Sequence, residues 1–590
     1  MAMFTREQVF LLLNGHKPLW LTGADLSEHD LRRSDFRGAQ CSNGRFVQTI
    51  FSDAQLSNAD FSSTDLSRAA FHRAVAVAAL LSSATLDGAT VSTSDFRQSN
   101  WVGASINRCD LTNSDFSEAS FVNASLQKSN LSRSVFRRAN LESADLTEAN
   151  LTRADLSEAD LRAAKLAGAD LTNARLDRAR LDGAEFDAAT KVDGKWRTVA
   201  AIVTNGGRSQ DLQRQDLSLA NLTEVDFEGA NLSSANLTGA LLAGAKLRGT
   251  DLTSAVLIRA DLRHVEIDGM TKLADKWRKV RKIVTDGGRD EDLHGADLAG
   301  ADLAGADLTN ATMFLADASD IDLGGAELSG TDLTRTNLRR ANLRSAKLSV
   351  TTKLDPKWRL VYQLQNEPFQ TWQLLKADLS GADLASVDFG GPEGTGSDLR
   401  EVNLAEADLT ETQFTNCHLT GANFRNALLA RTRLGQLDCH GIPFTEATVD
   451  GAVFIRSNLT GCDFSGSSGH QARFTSADLT DAIFDNTHLT GADFNSTTLA
   501  GTRFQGATLT NSQIGGGLSA RGASFRNAVC VGVLLARDFA ESDFSDADLQ
   551  GANLSVAKNL NQAILTGARY NAQTKWPVGF DPVASGAILV

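Results

Sequence analysis

The side chains best equipped for chemistry in this 590-residue chain are six cysteines, nine histidines and a surplus of carboxylates (72 acidic against 58 basic residues, net charge −14). Thiols spaced as CxxC would hold zinc or exchange disulfides, but no such pair occurs. No HExxH metal pair, GxSxG elbow or GxxxxGK[ST] phosphate loop is present either. The glycine-rich run Gly390-Gly391-Pro392-Glu393-Gly394-Thr395-Gly396 lacks a strand-then-helix setting and is expected to be a surface loop. Catalytic residues, cofactor and metal are therefore all expected to be absent. The carboxylates recur at one place in a short pattern, so pairs of them carry no catalytic weight.

That pattern positions everything else. From Leu21 an apolar residue returns every fifth place (Leu26, Leu31, Phe36, Cys41, Phe46), in unbroken register to Phe186. Two places before each centre sits a small residue, as in Ala144-Asp145-Leu146-Thr147-Glu148. A period of five fits neither a 3.6-residue helix nor a two-residue strand. It fits a solenoid that buries two positions of each five and exposes three. Cys41, Cys439 and Cys530 are centres and Cys109, Cys417 and Cys462 are the small residue, so all six read as core thiols in a reducing compartment. Of the histidines only His29 falls on an inward position.

These repeats resemble the pentapeptide-repeat family over most of the chain. The resemblance implies an all-β solenoid, a right-handed quadrilateral β-helix with four pentapeptides per coil and the centre and small residues pointing inward. The charges test the coil size separately, because residues one coil apart stack like neighbours in a sheet and favour opposite signs. Within residues 101–187, a spacing of 20 gives ten opposite-sign pairs and two like-sign pairs, Arg108/Lys128 and Arg133/Arg153. Spacings of 15 and 25 give four against five and three against six. The charges select four sides.

The register breaks after Phe186, Ile267 and Leu348 and resumes at Leu212, Leu293 and Leu374, which places Trp196, Trp277 and Trp358 at a common spacing of 81. Each break opens with Thr-Lys (190–191, 271–272, 352–353) and continues with helical spacing. Asp193, Asp275 and Asp355 are expected as N-caps, with Pro356 as the first helical residue. Asn205-Gly206-Gly207, Asp286-Gly287-Gly288 and Asn366-Glu367-Pro368 read as stops. Val9-Phe10-Leu11-Leu12-Leu13 behind a Thr5/Gln8 capping pattern resembles the second half of a module, and Thr574-Lys575-Trp576 the first half. Each module then reads as a coil end joined to a coil start, covering edges that solenoids must cap. Trp196, Trp277, Trp358 and Trp576 are its cap residues. Four segments are expected: 1–190 (helix plus about 8.5 coils), 191–271 and 272–352 (module plus three coils each), and 353–590 (module plus about nine to ten coils and a tail). Stacked coaxially, about 24 coils would span on the order of 115 Å.

In the last segment Gly394 and Gly469 fall at centres, and Phe takes every second centre from Phe454 to Phe504, hence two opposite faces. The register slips near Gly515-Gly516-Gly517 and before Phe539. Outward positions are apolar at Val75, Val77, Ala78 and Leu80, and again at Val529, Val531 and Leu534. These read either as interfaces or as local packing against a cap or irregular segment. Met313-Phe314-Leu315 is a smaller third candidate.

No run of 18 apolar residues suggests a membrane span, no leader pattern opens the chain, and the expected location is cytoplasmic. The acidic balance argues against direct nucleic-acid binding. The expected function is a non-catalytic protein-interaction scaffold, with oligomerisation left open. The resemblance supplies an alternative: a DNA mimic that binds a type II topoisomerase (gyrase) and modulates it or protects it from inhibitors. Against that, residues 101–187 interleave 11 basic with 14 acidic residues and show no unbroken negative stripe.

Overall fold

The computed structural model describes residues 6–590 except 14, 369, 393, 394, 517 and 518. The expected capping pattern at Thr5, the putting of Gly394 at a centre, and Gly517 fall outside the described residues. Two compact units are present, Met1–Asp286 and Gly287–Val590.

Each pentapeptide builds one side of a coil. Its centre residue starts a tight turn closed by the small residue of the next repeat, as where Ala24 N–H donates to Leu21 C=O (2.9 Å). The third turn position is left-handed throughout the first series, from Gly23 to Gly183, and most of its occupants are not glycine. One left-handed residue at that place is the mark of a type II turn. The centre N–H then reaches the coil above (Leu26 N–H to Arg45 C=O, 2.8 Å). Parallel bridges join residues 20 apart: Trp20 to Gln40, Gln40 to Asp60, Asp60 to Leu80. The coil therefore has four sides, as the charge spacing required.

In unit one these ladders run from Trp20 to Lys191 and from Asp211 to Lys272; in unit two, from Asp292 to Lys353 and from Gln373 to Lys575. Among the described residues four α-helices accompany them: α1 (Arg6–Leu13), α2 (Gly194–Asn205), α3 (Asp275–Asp286) and α4 (Pro356–Asn366). Among the described residues no helix is long and apolar enough to cross a membrane.

The bore is filled by the centres and small residues, nearly all fully buried, at about 1.5–3 kcal/mol per large side chain. Phe454, Phe474 and Phe494 stack in one file (5.0 and 4.8 Å) and Phe464 and Phe484 in another (4.7 Å). The files occupy opposite sides, as expected, and meet edge to face (Phe454–Phe464, 5.6 Å). Where the small residue is Ser, Thr or Cys, its side chain mostly donates to a centre carbonyl of the coil below. Examples are Thr49 to Leu26 (2.8 Å), Ser129 to Ile106 (2.6 Å) and Cys109 to Leu86 (3.0 Å). A buried hydroxyl is thereby satisfied without breaking the ladder. Ser34, Thr487 and Thr497 turn instead to the preceding centre of their own coil, and the Ser467 hydroxyl has no partner among the described residues.

One reading needs correction, that of His29, and two features of the last segment gain detail. Gln373 bridges Asp398, 25 residues on, and only from Asp398 to His418 does the step return to 20. This coil is therefore five residues longer than its neighbours, and Ser397 N–H donates back to Phe389 C=O (3.2 Å) across the extra length; an insertion of five leaves the sequence register untouched. His29 is only half-buried, its ring Nδ1 turned back to the Ser27 carbonyl (2.8 Å). The slip near 515 is a coil of 21 residues (Gln513 to Leu534) followed by one of 19 (Leu534 to Asn553). The Arg537 guanidinium fills the resulting gap, 3% exposed, and donates to the carbonyls of Phe494, Thr497 and Gly515 (2.5, 2.5 and 3.3 Å).

Candidate interaction surfaces and segment junctions

Three positions of every five face outward: the ladder residue before the centre and the two turn residues after it. The expected apolar patches sit there. Leu80 is 42% exposed, with Val75, Val77 and Ala78 half-buried around the same corner. Val75 stands in its ladder between Gln55 and Asp95, and Leu80 between Asp60 and Asn100. The patch is one coil high with polar neighbours above and below. Val529, Val531 and Leu534 are half-buried, and again polar residues flank them: Thr508 and Asp548 beside Val529, Gln513 and Asn553 beside Leu534. Leu315 is half-exposed, Met313 is buried, and Phe314 stacks on His294 (5.5 Å).

The modules repeat one set of contacts. The hydroxyls of Thr190, Thr271, Thr352 and Thr574 donate to the carbonyls of Leu166, Leu247, Leu328 and Leu549 (2.7–2.9 Å). Lys191, Lys272 and Lys353 pair with Asp170, Asp251 and Asp332 (2.8–2.9 Å). Trp196 and Trp277 are buried, Trp358 and Trp576 half-buried. A lysine ammonium lies over three of the rings, Lys195 on Trp196, Lys276 on Trp277 and Lys357 on Trp358 (4.6–5.0 Å). Trp576 instead packs on Tyr570 and Phe580 (5.5 and 5.3 Å).

Asp193 caps α2 through Lys195 N–H (3.1 Å). Asp275 is not a cap. It is the first residue of α3, and Ala274 holds the cap position, so the equivalent of Asp193 carries no acceptor there. Asp355 stands at the cap of α4 but turns its carboxylate to Arg335 N–H (3.0 Å). Spacing alone did not reveal the residues closing each last coil: Thr204 and Thr285 hydroxyls accept from Gly183 and His264 N–H (both 2.9 Å), and the Asn366 amide oxygen accepts from Ser345 N–H (2.5 Å). All three share the 81-residue offset, the signal that marks them.

The charges pair in two directions. Along the axis Arg138 meets Glu158 (2.8 Å) and Arg162 meets Glu142 (2.9 Å), one coil apart as expected. Within a repeat, Arg two places after Asp closes a second kind of pair, as in Arg37–Asp35 (3.0 Å) and Arg400–Asp398 (2.7 Å). Hydrogen bonding from the Arg37 and Arg400 side chains holds Asp35 and Asp398 down to about 2. Burial pushes the thiols of Cys109, Cys417, Cys462 and Cys530 up to about 12, and those of Cys41 and Cys439 well upward. Protonated, enclosed thiols are poor nucleophiles and poor ligands.

A family model of a pentapeptide repeat region matches residues 107–186. A second, of pentapeptide repeats in eight copies, matches 21–92, 208–269, 292–349, 395–436, 438–468 and 472–511. The chain belongs to the pentapeptide-repeat family. Its fold is accordingly the right-handed quadrilateral β-helix of pentapeptide-repeat proteins. Similar solved structures include a trypsin-treated form of QnrB1, a plasmid-mediated fluoroquinolone resistance protein (22% identity, 31% of this chain and 94% of that one, TM-score 0.27). Another is HetL, involved in heterocyst differentiation regulation in the cyanobacterium Nostoc sp. strain PCC 7120 (27% identity, 46% and 100%, TM-score 0.16). A third is Rfr23 from the cyanobacterium Cyanothece 51142 (35% identity, 15% and 64%, TM-score 0.13). No curated protein matches this sequence.

Proposed function

We propose that this pentapeptide-repeat solenoid is a non-catalytic scaffold that binds protein partners through its outward faces. The carrying observation is the division of labour along each repeat. Inward thiols and hydroxyls are consumed by the bore, the thiols held protonated by burial, while ladder and turn positions display varied side chains on a regular lattice. Of these, the corner patches Val75/Val77/Leu80 and Val529/Val531/Leu534 are the proposed contact points, since apolar side chains held outward on a rigid wall favour protein association. The helical modules, with their tryptophans over coil ends, are proposed as caps that delimit four segments, 1–190, 191–271, 272–352 and 353–590. A location in the cytoplasm fits the protonated thiols.

The reading as a DNA mimic acting on a type II topoisomerase rests on the acidic balance. The paired charges count against it, because cations interrupt the carboxylates coil by coil. Pull-downs comparing wild type with Val77→Asp and Leu534→Asp test the scaffold: identical partner sets would remove the patches as contacts. A gyrase supercoiling assay with and without a quinolone tests the alternative, which inhibition or protection at micromolar protein would revive.

A further inference from the structure

Opposite charges alternate along the axis, and the exceptions are informative. Arg108 and Lys128 stack as like charges on one corner of unit one, at the left-handed turn position. One coil further down the same corner stands Gly88, and below it Arg68. The missing side chain at Gly88 opens a notch of about 490 Å³, lined by Arg68, Asp87, Gly88, Asn107, Arg108, Gln127 and Lys128. Arg68 and Arg108 have no carboxylate partner among the described residues, and both are exposed. Lys128 meets Glu148 only at 3.4 Å with both side chains about half exposed, a weak contact easily exchanged.

The rest of the notch wall is largely hydrogen-bonded already, and it carries one carboxylate, Asp87. One Asp87 oxygen accepts from the Ser105 hydroxyl (2.7 Å) and Asn107 N–H (3.0 Å). The Asn107 side-chain oxygen accepts from the Ser125 hydroxyl and from Gln127 N–H, and the Gln127 side-chain amide donates to Asp145 (2.7 Å). What the notch offers a ligand is therefore three cations against one carboxylate, with no side chain at Gly88 between Arg68 and Arg108. Like charges stacked one coil apart repel, and an anion between them removes that repulsion.

We infer that this notch docks a short acidic segment of a protein partner, an extended peptide lying along the coil axis with its carboxylates on Arg68, Arg108 and Lys128. The inference rests on the scaffold reading and names its partner's chemistry. Coils rise about 4.8 Å, so the two arginines stand about 10 Å apart and the column spans about 14 Å. One free oxyanion cannot bridge the arginines, whereas alternate residues of an extended chain, about 7 Å apart, reach successive cations. The column is also short. Glu148 closes one end and Glu28 lies beyond Gln48 at the other, so a long nucleic-acid backbone would run onto carboxylates.

The test is fluorescence anisotropy of a fluorescein-labelled hexaglutamate peptide with the full chain at low salt. A Cβ at Gly88 would meet Arg68 Cγ at 3.6 Å, an ordinary contact, and Glu adopts the same left-handed geometry at Glu118 and Glu148. Gly88→Glu therefore folds and supplies the missing anion internally. Saturable binding weakened at least about tenfold by Gly88→Glu and by Arg108→Glu, but retained by Arg456→Glu in unit two, is expected. The inference is overturned if wild type does not bind, if all three variants lose binding equally, or if inorganic phosphate or an oligothymidylate of equal charge displaces the peptide. Failure of the peptide leaves the scaffold itself standing, because its pull-down test uses the separate Val77→Asp and Leu534→Asp variants.

Discussion

The backbone N–H of Arg178, before the first helical module, donates to the carbonyl of Leu219 beyond it at 2.6 Å. Arg340 and Gly381, at the same offsets in unit two, make the same bond at the same length. Arg178 Nε also reaches Gly239 C=O (3.4 Å), and Lys195 spans to Ser218 and Asp216 (2.9 and 3.6 Å). Within each unit, hydrogen bonding thus resumes on the far side of a module. Amide exchange should show both arginine N–H groups slowed at least about 100-fold relative to an unstructured peptide. Exchange at the unstructured rate would mean that the coil series part in solution.

Arg537 is a buried cation whose hydrogen-bond partners are neutral, and burial pulls its guanidinium down to about 10. Arg537→Met keeps much of the stem but strips the Thr497 carbonyl of its donor, while Phe494 and Gly515 keep the Thr497 hydroxyl and Ser496 N–H. The expected cost is about 1–3 kcal/mol, from the unmet buried acceptor. Thermal unfolding followed by circular dichroism checks this, and an unchanged melt would show that water replaces the guanidinium without loss.

Gly207 starts the ladder after α2, donating to Asp226 C=O (2.9 Å). A Cβ there would stand 2.4 Å from the Phe227 ring. Gly207→Ala should destabilise by about 1–3 kcal/mol through overpacking, while Gly88→Glu leaves the melt unchanged or raises it. Equal losses for the two would contradict the assigned surroundings of both.

Acid should attack the modules. Asp187 is held at about 2, first by Gly168 N–H and then by the Thr190 hydroxyl. Asp251 lies at about 2 chiefly through Lys272 and then Thr253, and Asp170 through Thr172 and then Lys191. Folded-state values below the ordinary carboxylate range mean that the unfolded chain takes up protons first. The stabilisation is complete above about pH 4 and is lost as pH falls towards 2. Helix α2 should lose amide protection across that window, and Asp187→Asn should blunt the loss. Constant protection from pH 4 to 2 would refute the assignment.

Much of this was legible because the repeat reports itself twice, in the buried centres and in charges 20 apart. The four sides and the Phe files followed directly. An event that preserves the period was only half legible: the glycine run from Gly390 read as a loop, but the five residues it adds to one coil shift no centre, and only the bridge from Gln373 to Asp398 exposes them. Asp275 misled because its position in the 81-residue frame is one past that of Asp193. Arg537 was hidden because an arginine beside a slipped register looks like any surface charge until the carbonyls around it are seen. The corner patches were found by pattern, but the Gly88 notch needed the wall in three dimensions, since a missing side chain has no letter.

The left-handed turn residues have a consequence for how such a protein can change. Arg, Glu, Asn, Ser, Gln, Lys, Thr, Ala, Leu and His all occupy that position, with φ held between 53° and 62°. An L-residue ordinarily resists this geometry by about 1–2 kcal/mol, and here the ladder imposes it whatever the side chain. The wall is therefore an addressable grid: rows one coil apart, columns at the corners, each point open to substitution without disturbing its neighbours' backbone. Mutation can redraw the surface point by point while the bore keeps the frame.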